Sequence, residues 1–506
     1  MAAYDALEAF AGRHMRRLFG PLHRRRRHPI PRHAGVDEEA LRRARTAWWA
    51  DDPRWYGGGT PPRRHNRVTP LVDGECFFAA LAEALAQAQA YVYGVGWCLT
   101  PQIPLKRHNL QEMVQTRLLT LLSDTARRVP VRILLWSGAP VLFQPTTRGT
   151  EAVQQALADQ ASGDIQCRLD HSAHFSHCHH QKAIVIDGRI AFVGGMDLTT
   201  FQGDRWDTPR HPLRAGPNWH DVQVRIEGEA AADVEQNFRQ RWLAATGDGD
   251  LPHREPAWEE SWQTPVQIVR TIPPGVYPFA PRGEFGIHHA YTRALRQAQR
   301  LIYLENQYLW SPDIVDALIA AMNKQHAEPF RIVIVLPARA YSGKWDNDQH
   351  VAKLRAVDAG RGIVSVYCPY TSGPSIGVHA FAYRPIYVHA KVAIIDDEWL
   401  TVGSANLNNR GLITDSEINA VVRDPELARN LRIALWAEHL ALPREQVAQA
   451  DPIDLVDHQW AGRAAENAQI IRRADRPLVC AAHRYEIGRM PGAWLLEEAE
   501  ALTFEY

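Results

Sequence analysis

The stretch His180-Gln181-Lys182-Ala183-Ile184-Val185-Ile186-Asp187 returns in the second half of the chain as His389-Ala390-Lys391-Val392-Ala393-Ile394-Ile395-Asp396. In both copies Lys lies two residues after His and Asp seven after. A pair of small residues follows at fourteen and fifteen, Gly194-Gly195 in one copy and Gly403-Ser404 in the other. Each copy reads as strand, turn, strand, with Asp187-Gly188 and Asp396-Asp397 as the turn dipeptides. On a strand, residues two apart share a face, so the His and Lys of one copy converge on one spot.

The repeat extends outward. Ala84 to Gln89 running into Tyr91-Val92-Tyr93 matches Ala294 to Gln299 running into Leu301-Ile302-Tyr303. Phe77, Phe78, Leu81, Leu85 and Ala88 fall at helical spacing before the first of these strands. Val131 to Trp136 and Arg331 to Leu336 are short β-rich runs of the kind buried in α/β sheets. Between the halves, Thr246 to Pro265 carries Gly247, Gly249, Pro252 and Pro256 among mixed charges, the composition of a linker. The expected organisation is a basic N-terminal arm (1–65), a first lobe (66–250), a second lobe (251–445) and a C-terminal extension (446–506).

The chain has 506 residues, with Lys plus Arg and Asp plus Glu both at 57. Zero formal charge gives no global attraction to nucleic acid, and anion binding must be local. Six scattered cysteines show neither metal-ligand spacing nor disulfide density, which fits a reducing compartment. The start lacks the apolar core of a secretory signal and no long apolar run occurs, so a cytoplasmic protein, peripheral to membranes at most, is expected. From Ala9 to Val36 there is no acidic residue, while arginines accumulate, Arg24 to Arg27 consecutively. Leu7, Phe10, Leu18 and Phe19 share a helical face there. The segment reads as a basic arm, and a short amphipathic helix on anionic lipid is the alternative.

Two imidazoles and two ammonium groups in a repeated frame suit a phosphodiester. A neutral imidazole can attack phosphorus while a protonated one donates to the leaving oxygen. The lysines can stabilise charge on the non-bridging oxygens, work that metal ions do elsewhere, so neither metal nor cofactor is expected. The candidate catalytic set is His180, Lys182, Asp187, His389, Lys391 and Asp396. Within it the two Asp residues sit at turns and read as loop anchors or salt-bridge partners. Gly194, Gly195, Ser404, Asn406, Trp206 and Asn306 are candidate substrate-binding residues. Each His needs an acid on its other nitrogen; Asp221 and Glu417 are the candidates, with the pairing open. The run His171, His174, His177, Cys178, His179, His180 has no counterpart in the second half and His180 already belongs to the repeat, so it does not read as a metal site; His177 and His179 are expected at the pocket mouth or in solvent. Core packing is the default reading of Trp97, Trp206, Trp219, Tyr308 and Trp310, and Trp206 is the best candidate among them for gripping a choline-like cation.

Over roughly residues 66 to 440 the chain resembles the phospholipase D superfamily, also called the HKD family. The doubled motif carries the resemblance. Gly203-Asp204-Arg205-Trp206-Asp207, Trp219-His220-Asp221-Val222, Ile302-Tyr303-Leu304-Glu305-Asn306-Gln307 and Gly403 to Arg410 are similar to segments of the phospholipases proper. Met196-Asp197 departs from the Ala-Asn continuation present in the second half. The resemblance implies a pseudo-twofold, bilobal α/β fold of two α/β/α sandwich lobes and a ping-pong reaction through a phosphohistidine. The expected action is on phospholipid, hydrolysing it or transferring the phosphatidyl group, and a monomer is expected. A cardiolipin synthase-like phosphatidyltransferase is the second reading. A nuclease is the third, disfavoured by the neutral charge and the Trp219 and Glu305 segments.

Overall fold

The computed structural model describes Trp49 and residues 52–139, 145–174, 177–340, 344–375 and 379–488. The arginine-rich stretch from Ala9 to Val36 lies outside the described residues.

The first half contributes β1 (Asn66–Val72), β2 (Val92–Gly96), β3 (Val131–Trp136), β4 (Ile165–Asp170), β5 (Ala183–Ile186), β6 (Ile190–Gly194), β7 (Asn218–His220) and β8 (Val222–Gly228). The second contributes β9 (Val266–Ile272), β10 (Glu284–Phe285), β11 (Leu301–Asn306), β12 (Arg331–Val335), β13 (Val364–Pro374), β14 (Phe381–Val388), β15 (Lys391–Ile395), β16 (Trp399–Gly403) and β17 (Glu417–Val422); β18 (Ala482–Arg484) follows. One sheet runs β1-β8-β6-β5-β2-β3-β4, and the other contains β9-β17-β16-β15-β11-β12-β13 in the same relative order. The internal repeat of sequence is therefore a repeat of topology.

Each motif forms the antiparallel hairpin that its turn residues dictate. Asp187 and Gly188 have φ of 58° and 67°, Asp396 and Asp397 of 56° and 52°. Two successive left-handed residues match the right-handed twist of the flanking strands. The two sheets share a central core that includes Val185, Val193 and Val224 from the first and Val392, Val402 and Ile418 from the second. The helices Glu229–Thr246 and Pro425–Leu440 pack into this core through Phe238, Trp242, Leu435 and Trp436. Outer helices cover the remaining faces: Asp73–Gln87 buries Phe77, Phe78, Leu81 and Leu85 over the first sheet, and Gly286–Gln297 buries Ile287, Ala290, Ala294 and Leu295 over the second.

Two flanking segments are more integrated than the sequence suggests. Trp49, Trp55 and Tyr56 lie in the core of the second half, so the end of the presumed arm is folded protein. In the C-terminal extension, Trp460 is buried against Tyr303, Tyr367 and Trp436, and β18 pairs with β13. Large aromatic side chains hold both segments by the apolar area they remove from water.

Candidate active site at the seam between the halves

The segments that carry the two motif histidines pair with the opposite half. The His180 N–H donates to the Ser416 carbonyl at 2.9 Å, and the His389 N–H donates to the His220 carbonyl at 2.8 Å. Near the second of these contacts, β14 runs parallel to β7, with Val388 opposite His220. Each carbonyl belongs to the residue just before a carboxylic acid. Hence His180 Nδ1 lies 2.9 Å from Glu417 Oε1, and His389 Nδ1 lies 2.7 Å from Asp221 Oδ2. Each ring is held by the acid of the other half, which settles the pairing that the sequence left open. With Nδ1 engaged in both rings, Nε2 is the nitrogen left for chemistry.

The lysines flank these rings. Lys182 Nζ donates to the His180 carbonyl at 2.9 Å and meets Asp197 Oδ2 at 2.9 Å. Lys391 Nζ donates to the His389 carbonyl and approaches Gln307 Oε1 at 3.5 Å. The substitution of Asp197 for the Asn406 type thus gives Lys182 a buried counter-ion. Burial brings the Lys391 ammonium down to about 7, against the pull of Asp221. Burial, reinforced by Lys182 and Lys391, holds His180 well below the usual imidazole range; burial with Lys391 and Arg205 does the same to His389. Burial also raises Glu417 and Asp221. In such a dry seam burial and the two ammonium groups both work against an imidazolium at either ring.

The structure places several candidate residues away from the reactive rings. Asp187 and Asp396 stand beyond the far ends of β5 and β15, at the turns of the motif hairpins. The Asp187 carboxylate accepts from the N–H groups of Gln89, Ala90 and Tyr91, and Asp396 from those of Gln299, Arg300 and Leu301. They tie the helix-to-strand turn to the motif hairpin. Gly194 and Gly195 lie hard against neighbouring side chains. A Cβ at Gly194 would meet Gln223 Oε1 at 2.2 Å, and one at Gly195 would meet Asp221 Oδ1 at 2.1 Å. Their missing side chains make room for the residues that position His389. Ser404 occupies the equivalent place, and its hydroxyl donates to Glu417 Oε2 at 2.5 Å, which secures the acid. The Asn306 amide oxygen accepts from the Tyr308 and Leu407 N–H groups, which fixes a loop. Asn406 is buried beside this loop's partner, Leu407. Trp206 has the Arg107 guanidinium 5.1 Å from its ring, so that face is occupied. Trp97 and Trp219 are the aromatics beside the reactive groups, with ring centroids 6.1 Å from His180 and 5.0 Å from His389.

The histidine-rich run disperses. His174 Nε2 lies 3.0 Å from the Pro274 carbonyl. His179, expected at the pocket mouth or in solvent, is buried, with Nε2 3.0 Å from Asp170 Oδ1 and Nδ1 2.7 Å from Ser416 Oγ. Arg241 and Tyr277 complete this brace through Asp170, at 2.9 and 2.5 Å. Nothing in the spacing of Asp170, Arg241 and Tyr277 announces it.

Fold and seam together define a duplicated α/β protein with one composite His–Lys site between its halves. Known proteins share this plan. A family profile described as "Phospholipase D" matches residues 84–217, and one described as "Cardiolipin synthase, PLD-like domain" matches residues 291–437. The chain belongs to the phospholipase D superfamily, with one such domain in each half. It is 29% identical to phospholipase D A of Dictyostelium discoideum across 76% of this chain and 36% of that protein. It is 26% identical to phospholipase D alpha 4 of Arabidopsis thaliana across 77% of this chain and 68% of that one. With phospholipase D zeta 2 of the same plant the match covers 58% of the relative's length. The chain therefore spans between about a third and two thirds of these relatives. Among solved structures, phosphatidylserine synthase of Haemophilus influenzae Rd KW20 superposes with a TM-score of 0.53 at 13% identity, covering 92% of this chain and 98% of that one, a likeness of fold.

Proposed function

We propose that this protein is a phospholipase D-type phosphodiesterase that cleaves glycerophospholipids to phosphatidate and a free alcohol. The observation that carries the reading is the pair of imidazoles, each oriented at Nδ1 by the other half's acid and flanked by a lysine. His180 Nε2 attacks phosphorus and the bond to the head-group oxygen breaks. His389 supplies the proton that this oxygen needs to leave as an alcohol. Water, giving its proton to His389, then attacks the phosphohistidine and releases phosphatidate and a neutral His180; an alcohol in place of water gives transfer. Burial and the lysines disfavour the protonated His389, and the anionic phosphodiester, once bound, offsets the repulsion from Lys182 and Lys391 so that the ring takes a proton from solvent. His180 is assigned the attack because its side chain is the more open, 14% exposed against 8% for His389.

The test is head-group release from mixed phospholipid vesicles and from a short-chain soluble substrate, with DNA assayed in parallel. Release of choline, ethanolamine or glycerol with formation of phosphatidate is expected. Cleavage of DNA alone would replace the reading with that of a nuclease. The cardiolipin synthase-like reading is favoured by the profile matched over residues 291–437. It predicts transfer to phosphatidylglycerol faster than hydrolysis in the same assay.

No helix among the described residues is long and apolar enough to cross a membrane. Contact with lipid is assigned to the basic arm. Deleting residues 1–35 should weaken binding to anionic vesicles and its salt sensitivity, with turnover of a soluble substrate unchanged. Equal vesicle binding by both forms would remove the arm from this role.

A further inference from the structure

Behind the His389–Asp221 pair lies a second cluster that the proposed chemistry does not use. Asp73 opens the helix Asp73–Gln87, His211 precedes β7, His220 ends β7, and Glu438 lies on the helix Pro425–Leu440. Their side chains are 0 to 6% exposed. His211 Nε2 stands 3.4 Å from Asp73 Oδ2 and 3.2 Å from Glu438 Oε1; His220 Nδ1 stands 3.1 Å from Asp73 Oδ1 and 3.0 Å from Glu438 Oε1. Metal–ligand bonds of about 2.0–2.1 Å in a tetrahedron separate the ligand atoms by about 3.3 Å.

A second observation points the same way. Asp73 Oδ2 and His220 Nδ1, which both face the centre of the cluster, are buried yet make no well-formed hydrogen bond. Buried polar atoms of this kind call for a partner. The outward ring nitrogens face further carboxylates, His220 Nε2 at 2.9 Å from Glu305 Oε2 and His211 Nδ1 at 3.3 Å from Asp207 Oδ2. Glu305 is held in turn by His439 Nε2 at 2.7 Å. A carboxylate on the far nitrogen is the arrangement that fixes a metal-bound imidazole and leaves its other nitrogen bare. Asp73 and His211 also carry φ of 61° and 42°, strained values for non-glycine residues.

We propose that Asp73, His211, His220 and Glu438 bind one divalent transition-metal ion, zinc by preference, which fastens the two halves together behind His389. Two imidazoles with two carboxylates suit zinc and its first-row neighbours, whereas calcium and magnesium take oxygen shells. The ion would join a helix and a strand of the first half to a helix of the second. Its ligands also hold the candidate active site: the His220 carbonyl accepts from the His389 N–H, and Asp73 Oδ1 accepts from the Asp221 N–H at 3.2 Å. The role is positioning, and no step of phosphoryl transfer passes through the ion.

The full chain, purified without a polyhistidine tag from metal-replete medium, should carry about one equivalent of zinc by plasma mass spectrometry. X-ray absorption at the zinc edge should show a four-coordinate shell of nitrogen and oxygen with imidazole scattering, and cobalt replacement should give tetrahedral d–d bands. Asp73→Asn and His211→Gln should each lose the metal, while His179→Gln, altering a buried His–Asp pair elsewhere, should keep it. The spectroscopy needs only the unmutated protein, so misfolded variants leave it decisive. Absence of stoichiometric metal together with no rise in melting temperature on adding zinc or cobalt would overturn the proposal. So would a shell containing sulfur, or metal retained by both ligand variants.

Discussion

At the residue scale the two motif lysines are not equivalent. Lys182 has Asp197 as a buried counter-ion, whereas the corresponding neighbour of Lys391 is the amide side of Gln307. Replacing either lysine by Met should lower turnover by about 10² to 10³, because each ammonium faces charge that grows in the transition state. Near-normal rates from both variants on a soluble phosphodiester would contradict the composite site. The difference between the lysines has a pH signature. Burial lowers the Lys391 pKa to about 7, so without an anion beside it the ammonium gives way to the amine above that value. An anionic ligand raises its pKa, so a soluble phosphonate analogue, monoanionic throughout, should bind best at or below pH 7. Its affinity should fall above pH 7 by up to about tenfold per pH unit until the pKa of the complex is reached. Titration calorimetry across pH 6 to 9 would show this, and the Lys391→Met variant should lack the trend. The histidines, lysines and candidate acids were all legible in the sequence. The pairing was not, because Glu417 lies 237 residues from His180 and Asp221 168 from His389, and their meeting is created by the crossing of halves.

At the element scale the motif hairpin explains why the signature includes an aspartate away from the chemistry. Asp187 and Asp396 each gather N–H groups at the turn where an outer helix becomes a central strand. Asp187→Ala and Asp396→Ala should each cost about 1–3 kcal/mol of stability, since three backbone donors, partly buried or exposed, lose one charged acceptor. Thermal melts should shift down while the folded protein, assayed in the cold, keeps its turnover per active site. A large loss of turnover without a shift in melting would return these residues to the catalytic set. The hairpins and central strands could be read from turn dipeptides and apolar runs. What could not be read was the service that small residues perform. Gly195 and Ser404 look like phosphate-cradling positions, yet one admits Asp221 and the other ties down Glu417. Close approach between neighbouring strands looks, in a sequence, the same as close approach to a ligand.

At the scale of the whole molecule, the repeated order of strands made the fold legible from one duplicated motif. The buried cluster of Asp73, His211, His220 and Glu438 was not, because its members come singly from distant elements and leave no spacing pattern. The terminal segments escaped for a related reason: they have no copy in the other half, and their aromatic residues reveal their place only once a partner surface exists.

The exchange of acids across the seam makes this chain a natural candidate for splitting. Cut within residues 247–265, where no helix or strand runs, it would yield two fragments, neither with a complete dyad. Activity would then be a readout of reassembly, its initial rate at low concentration following the product of the two fragment concentrations. A fragment bearing His180→Ala mixed with one bearing His389→Ala should stay silent, because no reshuffling of partners restores both rings to one seam. Turnover by either fragment alone would show that a single half can build the site from two copies of itself.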